Sequence, residues 1–297
     1  MREAPIKERV REPRALRDFG VRTVTAIILG VVLILADISG SLLLWAAVIS
    51  VVAVFCVIEF YAMMRTERRK PNEVFGVVAV AAMPLAAALY ALHWDATAIG
   101  PADSAAGAMG LTAVSGGLIV AALIWHILFK QVTESDTATT VFGALYTGFM
   151  LSHLVLMRAL DSGAELVIIT LASVWCMDVF AYLVGSAIGR NPMAPQISPK
   201  KSWEGFVAGA IATTAAWGVG WWVVRSPLPL WTFLAIGVIA AIAAVLGDLA
   251  ESRLKREVGV KDSGKWLPGH GGFLDRFDSM IMVSIVVYYL LIWAGAR

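Results

Sequence analysis

Apolar stretches of about twenty residues recur nine times in this sequence, at approximately 23–40, 41–63, 74–92, 108–129, 139–157, 165–188, 205–224, 228–249 and 279–295. A helix of about 20 mainly apolar residues is what crosses the hydrocarbon core of a bilayer, where backbone N–H and C=O groups must be satisfied within the chain. The spacing predicts an all-α, polytopic integral membrane protein with about nine transmembrane helices. Composition agrees, since 59% of the 297 residues are hydrophobic and 15% charged, against roughly 45–50% and about 25% in a soluble domain. With a mean hydropathy of +0.77, these values exclude an ordinary soluble enzyme, and equally a disordered chain, which needs low hydrophobicity and high net charge. The net charge of +2 gives no bulk polybasic character, so nucleic acid is not an expected partner. Cys56 and Cys176 lie inside apolar stretches without CxxC or Cys/His spacing, and such cysteines are small buried hydrophobes.

The distribution of Lys and Arg sets the orientation, because cytoplasmic loops carry the excess. With the N-terminus inside, 21 of the 24 basic residues fall on the inner side, and only Arg158, Arg225 and Arg297 fall outside. Residues 1–22, with seven Lys/Arg, read as a retained cytosolic tail, too long and too acidic in places for a cleavable signal. Residues 23–163 then hold the first five helices, and 164–297 a second region with two distinctive inner loops, 190–204 and 251–278. Both loops are rich in Gly, Pro, Ser, Lys and acids, whereas the outer loops are short or bland. Chemistry, if present, is expected on the cytoplasmic face. There is no fixed-period repeat, nor the paired broken helices of an inverted-repeat transporter.

Three segments carry candidate residues. In the eighth stretch, continued helix puts Asp248, Ser252 and Lys255 on one face at i, i+4 and i+7, and an ionisable group near the membrane end of a helix is a functional candidate unless it is simply paired with a neighbouring base. The segment from Lys261 to Asp278 is the densest. Its Asp275 and Asp278, at i and i+3, can converge on one cation, and Mg²⁺ uses one or two protein carboxylates plus water and substrate phosphate oxygens. Glycines around His270, including Gly271 and Gly272, let backbone approach a phosphate, and the start of the last helix offers free N–H groups to an anion. His270 is read as a phosphate contact or as a loop-forming residue. A polybasic lipid anchor is the bland alternative, but residues 251–278 hold five acids beside six bases, which an anchor does not need. Gly259 to Lys265 satisfies the start of a P-loop, yet Trp266 follows where Ser or Thr is required and no strand precedes. In the sixth stretch Asp178, Tyr182, Gly185 and Gly189 form one stripe whose glycines permit close helix approach. Asp178 lies about 16 Å of helix before Gly189, and is read either as facing a polar cavity or as a structural hydrogen-bonding group. Beyond it, Ser198-Pro-Lys-Lys-Ser202 sets Lys200 and Lys201 between two hydroxyls, and Lys is a compact point charge suited to a triphosphate. His126, His153 and Glu59 read as packed, hydrogen-bonded groups inside apolar helices.

On these residues the sequence resembles the phosphatidate cytidylyltransferases, the CDP-diacylglycerol synthases. The family's signature is carried without a gap by Ser252, Leu254, Lys255, Arg256, Lys261, Asp262, Gly264, Leu267, Pro268, His270, Gly271, Gly272, Phe273, Asp275, Arg276, Phe277 and Asp278. Its upstream elements correspond to Asp178–Gly185 and Ser198–Gly205, so the likeness covers roughly residues 175–280; before that it is one of hydropathy alone. Ser202 stands where many members have Thr, and Arg190 where Lys is common.

The resemblance implies transfer of a cytidylyl group from CTP to phosphatidate, with Mg²⁺ and a monovalent K⁺. It assigns metal contacts to Asp248 and Asp275, with Asp278 beside them; the catalytic candidates on this reading are Asp248, Asp275, Asp278, Lys255, Lys261 and His270, and the substrate contacts Asp178, Tyr182, Ser198, Lys200, Lys201, Ser202, Ser252, Arg256, Gly271, Gly272 and Arg276. Partners on this reading are CTP, phosphatidate and membrane lipids, with a homodimer compatible, in a bacterial inner membrane. A CTP-dependent lipid kinase of the polyprenol type and a transporter remain the rival readings. A CDP-alcohol transferase lacks its Asp-Gly-x-x-Ala-Arg start here.

Overall fold

The computed structural model describes residues 27–67, 69–97, 104–264, 266 and 271–296. Residues 1–22, and His270 in the densest loop, lie outside them. Among the described residues there are nine helices: α1 (Ile27–Ile38), α2 (Leu42–Thr66), α3 (Glu73–Thr97), α4 (Ser104–Leu128), α5 (Glu134–Arg158), α6 (Gly163–Ile188), α7 (Trp203–Val224), α8 (Leu230–Glu257) and α9 (Leu274–Trp293). All but α1 are long and apolar enough to span a membrane; α1 is apolar but shorter. The chain is an all-α polytopic membrane protein, with one small addition. Residues read as loop form an antiparallel hairpin, β1 (Pro192–Ala194) and β2 (Ser198–Ser202), between α6 and α7.

Lipid tails are as apolar as leucine, so helices in a bilayer associate through close packing and interhelical hydrogen bonds. Both are visible. The Trp45 indole of α2 donates to the Leu154 carbonyl of α5 at 3.1 Å, and the Tyr61 hydroxyl to the Thr140 carbonyl at 2.6 Å. Such bonds contribute about 0.6 kcal/mol each on average within membranes, so their chief effect is to fix register. The α5 start is closed by a capping box, with Thr133 accepting from the Asp136 N–H while Asp136 accepts from the Thr133 N–H. Its middle, Leu145–Phe149, widens into one π-helical turn. Large side chains such as Ile127, Leu128 and Trp293 stay exposed, as lipid-facing groups should.

Consecutive helices α6, α7, α8 and α9 pack in sequence, and α9 also lies against α5 and touches α2. Ser284 of α9 donates to the Met150 carbonyl of α5 at 2.8 Å. One continuous cluster of buried apolar residues runs through both parts of the chain. At one end of the bundle Arg158 pairs with buried Asp37 at 3.1 Å, tying the end of α1 to the end of α5.

Candidate active site

The hairpin supplies the first wall. Its pairing sets Pro192 opposite Ser202 and Ala194 opposite Ser198, and the Asn191 side chain closes it by donating to Glu204 Oε1 at 2.7 Å. Ser202 then caps α7 by accepting the Gly205 N–H at 3.2 Å, satisfying one of the free donors of a helix start. Ser202 itself lies against α6, its Oγ 3.1 Å from where a Cβ on Gly185 would stand, and the start of α7 follows it there. The approach is close: a Cβ at position 205 would lie 2.6 Å from the Ala181 carbonyl oxygen and 3.2 Å from Gly185 Cα. Between α6, the hairpin, α7 and α8 lies a cavity of about 500 Å³, lined among others by Asp178, Tyr182, Lys200, Lys201, Ser202 and Asp248.

The second wall is the cytoplasmic end read for α8. The helix continues to Glu257, so Ser252 donates to Asp248 Oδ1 at 3.1 Å, one turn apart. The other oxygen, Asp248 Oδ2, pairs with Lys201 Nζ of the hairpin at 2.7 Å. A turn further on, Lys255 sits between two acids, paired with Glu251 of its own helix and with Asp275 Oδ1 of α9 at 2.7 Å. Asp275 also accepts the Ser263 N–H at 3.0 Å and the Gly272 N–H at 2.8 Å. Gly271 beside it has φ +83°, and a Cβ there would lie 2.8 Å from Asp275 Oδ2, so glycine is required on both counts.

A second cavity, about 630 Å³, opens between α1, α6 and α9. Its length is apolar, with Leu33, Ile34 and Val174 among its residues, while Asp178, Asp275, Arg276 and Asp278 line it as well. Asp178 borders both cavities. The sixth-helix aspartate therefore faces cavity space, as one of its two sequence readings requires.

The structure thus brings Asp178, Tyr182, Lys200, Lys201, Ser202, Ser252, Asp248, Lys255, Asp275, Asp278, Arg276, Gly271 and Gly272 to one region. Ser198 opens β2 opposite Ala194 and is not among the cavity-lining residues. Arg256 turns away, donating to the Ile197 and Val260 carbonyls and stitching the hairpin turn to the end of α8. Lys261 is exposed on the loop. His270 lies outside the described residues. Two residues of the site are not among the sequence candidates: Glu251, whose signal is its i, i+4 spacing to Lys255, and Ser263, which has no local signal; Glu59, read from the sequence as a packed, hydrogen-bonded acid, accepts the Ser263 hydroxyl and the Leu274 N–H.

Among the described residues no group of three or more His, Cys, Asp or Glu side chains stands close enough to hold a metal ion unaided. The carboxylates of Asp248 and Asp275 instead carry lysines. They are hard oxygen donors beside a cavity, which fits a cation that takes its remaining ligands from water and phosphate oxygens.

A sequence model of the cytidylyltransferase family matches residues 20–293. Among curated relatives, the phosphatidate cytidylyltransferase of Mycobacterium bovis is 36% identical over 205 residues, covering 62% of this chain and 65% of the relative. That of Bacillus subtilis is 36% identical over 171 residues, 57% of this chain and 64% of the relative. That of Synechocystis is 32% identical over 201 residues, 58% and 68%. The matched region thus spans just under two thirds of the Mycobacterium bovis and Bacillus subtilis proteins. Because the family match runs from ahead of the first described helix to the end of α9, and so takes in both walls of the site, the chain belongs to the cytidylyltransferase family.

Proposed function

We propose that this protein transfers the cytidylyl group of CTP to phosphatidate, releasing pyrophosphate and giving CDP-diacylglycerol. The observation that carries the reading is the pair of cavities meeting at Asp178. One has the lysines and hydroxyl that suit a nucleoside triphosphate, and the other is an apolar groove with a guanidinium and carboxylates at its border. A water-soluble nucleotide and a lipid have to meet at one point, and this arrangement provides it. The name carried by the relatives points the same way.

On this reading Lys200 and Lys201 receive the triphosphate, and Arg276 the phosphatidate headgroup, whose tails lie along α1 and α6. A phosphatidate oxygen forms a new bond to the α-phosphorus of CTP, and the bond from that phosphorus to the bridging oxygen of pyrophosphate breaks. The protein contributes positioning and charge neutralisation, since no covalent intermediate is needed. Lys201 leaves Asp248 for the phosphates, freeing that carboxylate. Asp248, with Asp278 and Asp275, would hold Mg²⁺, with K⁺ as a second cation in the same proposal. The chemistry supplied is neutralisation of phosphate charge that the carboxylates would otherwise repel. The excess of Lys and Arg on the loops at this end supports a cytoplasmic site in a bacterial inner membrane.

The test is to incubate the purified protein in detergent with CTP, phosphatidate and Mg²⁺ and identify products by mass spectrometry. CDP-diacylglycerol with pyrophosphate is expected. CDP with a newly phosphorylated lipid alcohol, or no turnover, would overturn the proposal.

A further inference from the structure

We propose that Glu59 of α2 is a positioning residue for the reaction: its carboxylate holds Ser263 and the start of α9 and thereby sets Asp275 in place. The inference rests on the cytidylyl-transfer reading for its kinetic consequence, but its geometry is independent of it. Glu59 is 1% exposed, an acid inside an otherwise apolar helix. Its Oε2 accepts the Ser263 hydroxyl at 3.1 Å and the Leu274 backbone N–H at 2.9 Å, across 204 and 215 residues of chain. Leu274 is the first residue of α9, and the preceding Phe273 makes no side-chain cap. The helix start that carries Asp275 is therefore capped by a residue from the other half of the protein. Burying a carboxylate is costly unless it is hydrogen-bonded, so these bonds are what retain it there.

Ser263 links the two carboxylates. Its hydroxyl goes to Glu59, and its backbone N–H goes to Asp275 at 3.0 Å. A shift of Glu59 is thus passed to Asp275 through a single residue and through the α9 cap at once. The glycines of the segment fit the same picture. A Cβ on Gly264 would run into the Glu59 carboxyl group, and one on Gly272 into both Glu59 and Ser263, so both positions leave the space that the carboxylate fills. One turn before Glu59, Phe55 stacks on Phe273 at 4.6 Å and meets Trp266 at 5.5 Å. That face of α2 is a platform for Trp266 and Phe273, which gives the first half of the chain a part in positioning Asp275. The nucleotide cavity has no Glu59 in its lining, so the effect should fall on turnover rather than on CTP binding.

The experiment compares wild type, E59Q, E59A, S263A and E59A/S263A for steady-state kinetics, thermal unfolding and backbone amide exchange by mass spectrometry. The Gln carbonyl can accept both bonds, so E59Q should keep kcat within about threefold. E59A should lower kcat about 10- to 100-fold, the usual cost of losing a group that orients a ligand carboxylate, with KM for CTP nearly unchanged. S263A should move the same way by less, and the double variant should lose no more than E59A, because both act through one segment. Exchange in E59A should quicken in residues 259–276 and not in α3 or α4. The proposal is overturned if E59A keeps wild-type kcat, if E59Q fails as badly as E59A, or if exchange quickens throughout the first five helices. Should E59A not fold, E59Q and S263A decide by the same criteria. A wild type that turns over no CTP defeats the reaction reading instead, and amide exchange alone then judges the role of Glu59.

Discussion

Lys255 offers the sharpest test of how the site is held together, because one ammonium serves two acids in a nearly closed space. Its side chain is 11% exposed, that of Glu251 0% and that of Asp275 9%. In K255M the methionine fills similar volume, but Glu251 and Asp275 face each other without a counter-charge. Removing one partner of a buried ion pair costs about 3–5 kcal/mol, and burial this deep leaves little solvent screening to reduce it. At roughly 2–4 °C per kcal/mol for a chain of this order of size, the unfolding midpoint should fall by on the order of 10 °C. The exposed pair Arg253–Glu257, at 2.9 Å with both side chains more than half exposed, is the internal control. Breaking it with R253A should cost about 0.5 kcal/mol or less. In E251Q the lysine is left with Asp275 alone, so stability should stay within about 1 kcal/mol of wild type. E251Q/K255M should recover at least half of the K255M loss, since Asp275 keeps the Ser263 and Gly272 N–H groups. The assay is thermal unfolding in detergent followed by tryptophan fluorescence. A K255M protein melting within about 2 °C of wild type would refute the reasoning.

Three further outcomes follow from the geometry. G205A should cost about 1–3 kcal/mol, because the added Cβ meets the α6 backbone at Ala181 and Gly185; the same unfolding assay reads it, and KM for CTP should rise as the cavity wall shifts. D275N should lower turnover by about 10²- to 10³-fold while remaining folded, since its loop N–H donors can still find the amide oxygen; near-normal turnover would remove Asp275 from the site. Chelation with EDTA should abolish turnover yet leave the unfolding midpoint unchanged, because Asp248 and Asp275 already pair with Lys201 and Lys255; a large destabilisation would mean that the cation is structural.

Helical periodicity governs how much of the site is legible in the sequence. It places Asp248, Ser252 and Lys255 on one helical face, and Ser252 does reach Asp248. Gly185 likewise stands out as a close-approach position, although nothing local to it says that Gly205 is its partner. The hairpin escapes a sequence reading because its strands are three and five residues long and contain Pro192 and Pro199, which read as loop. The π turn in α5 leaves no trace, being one extra residue in an apolar run. Glu251 carries a signal in its spacing to Lys255, but an i, i+4 acid and base on a helix end are ordinarily a solvated pair. Glu59 is readable only as a packed, hydrogen-bonded acid in an apolar helix, because the partners that show what it holds, Ser263 and Leu274, are more than 200 residues away.

The central claim is that the α-phosphorus of CTP goes to the lipid. Reactions run in parallel with CTP labelled at the α- or the γ-phosphate, with phosphatidate as acceptor, followed by solvent extraction, test it directly. The account predicts α-label in the lipid phase and γ-label in aqueous pyrophosphate. Label from the γ-phosphate in the lipid phase, with the α-label left in CDP, would contradict it.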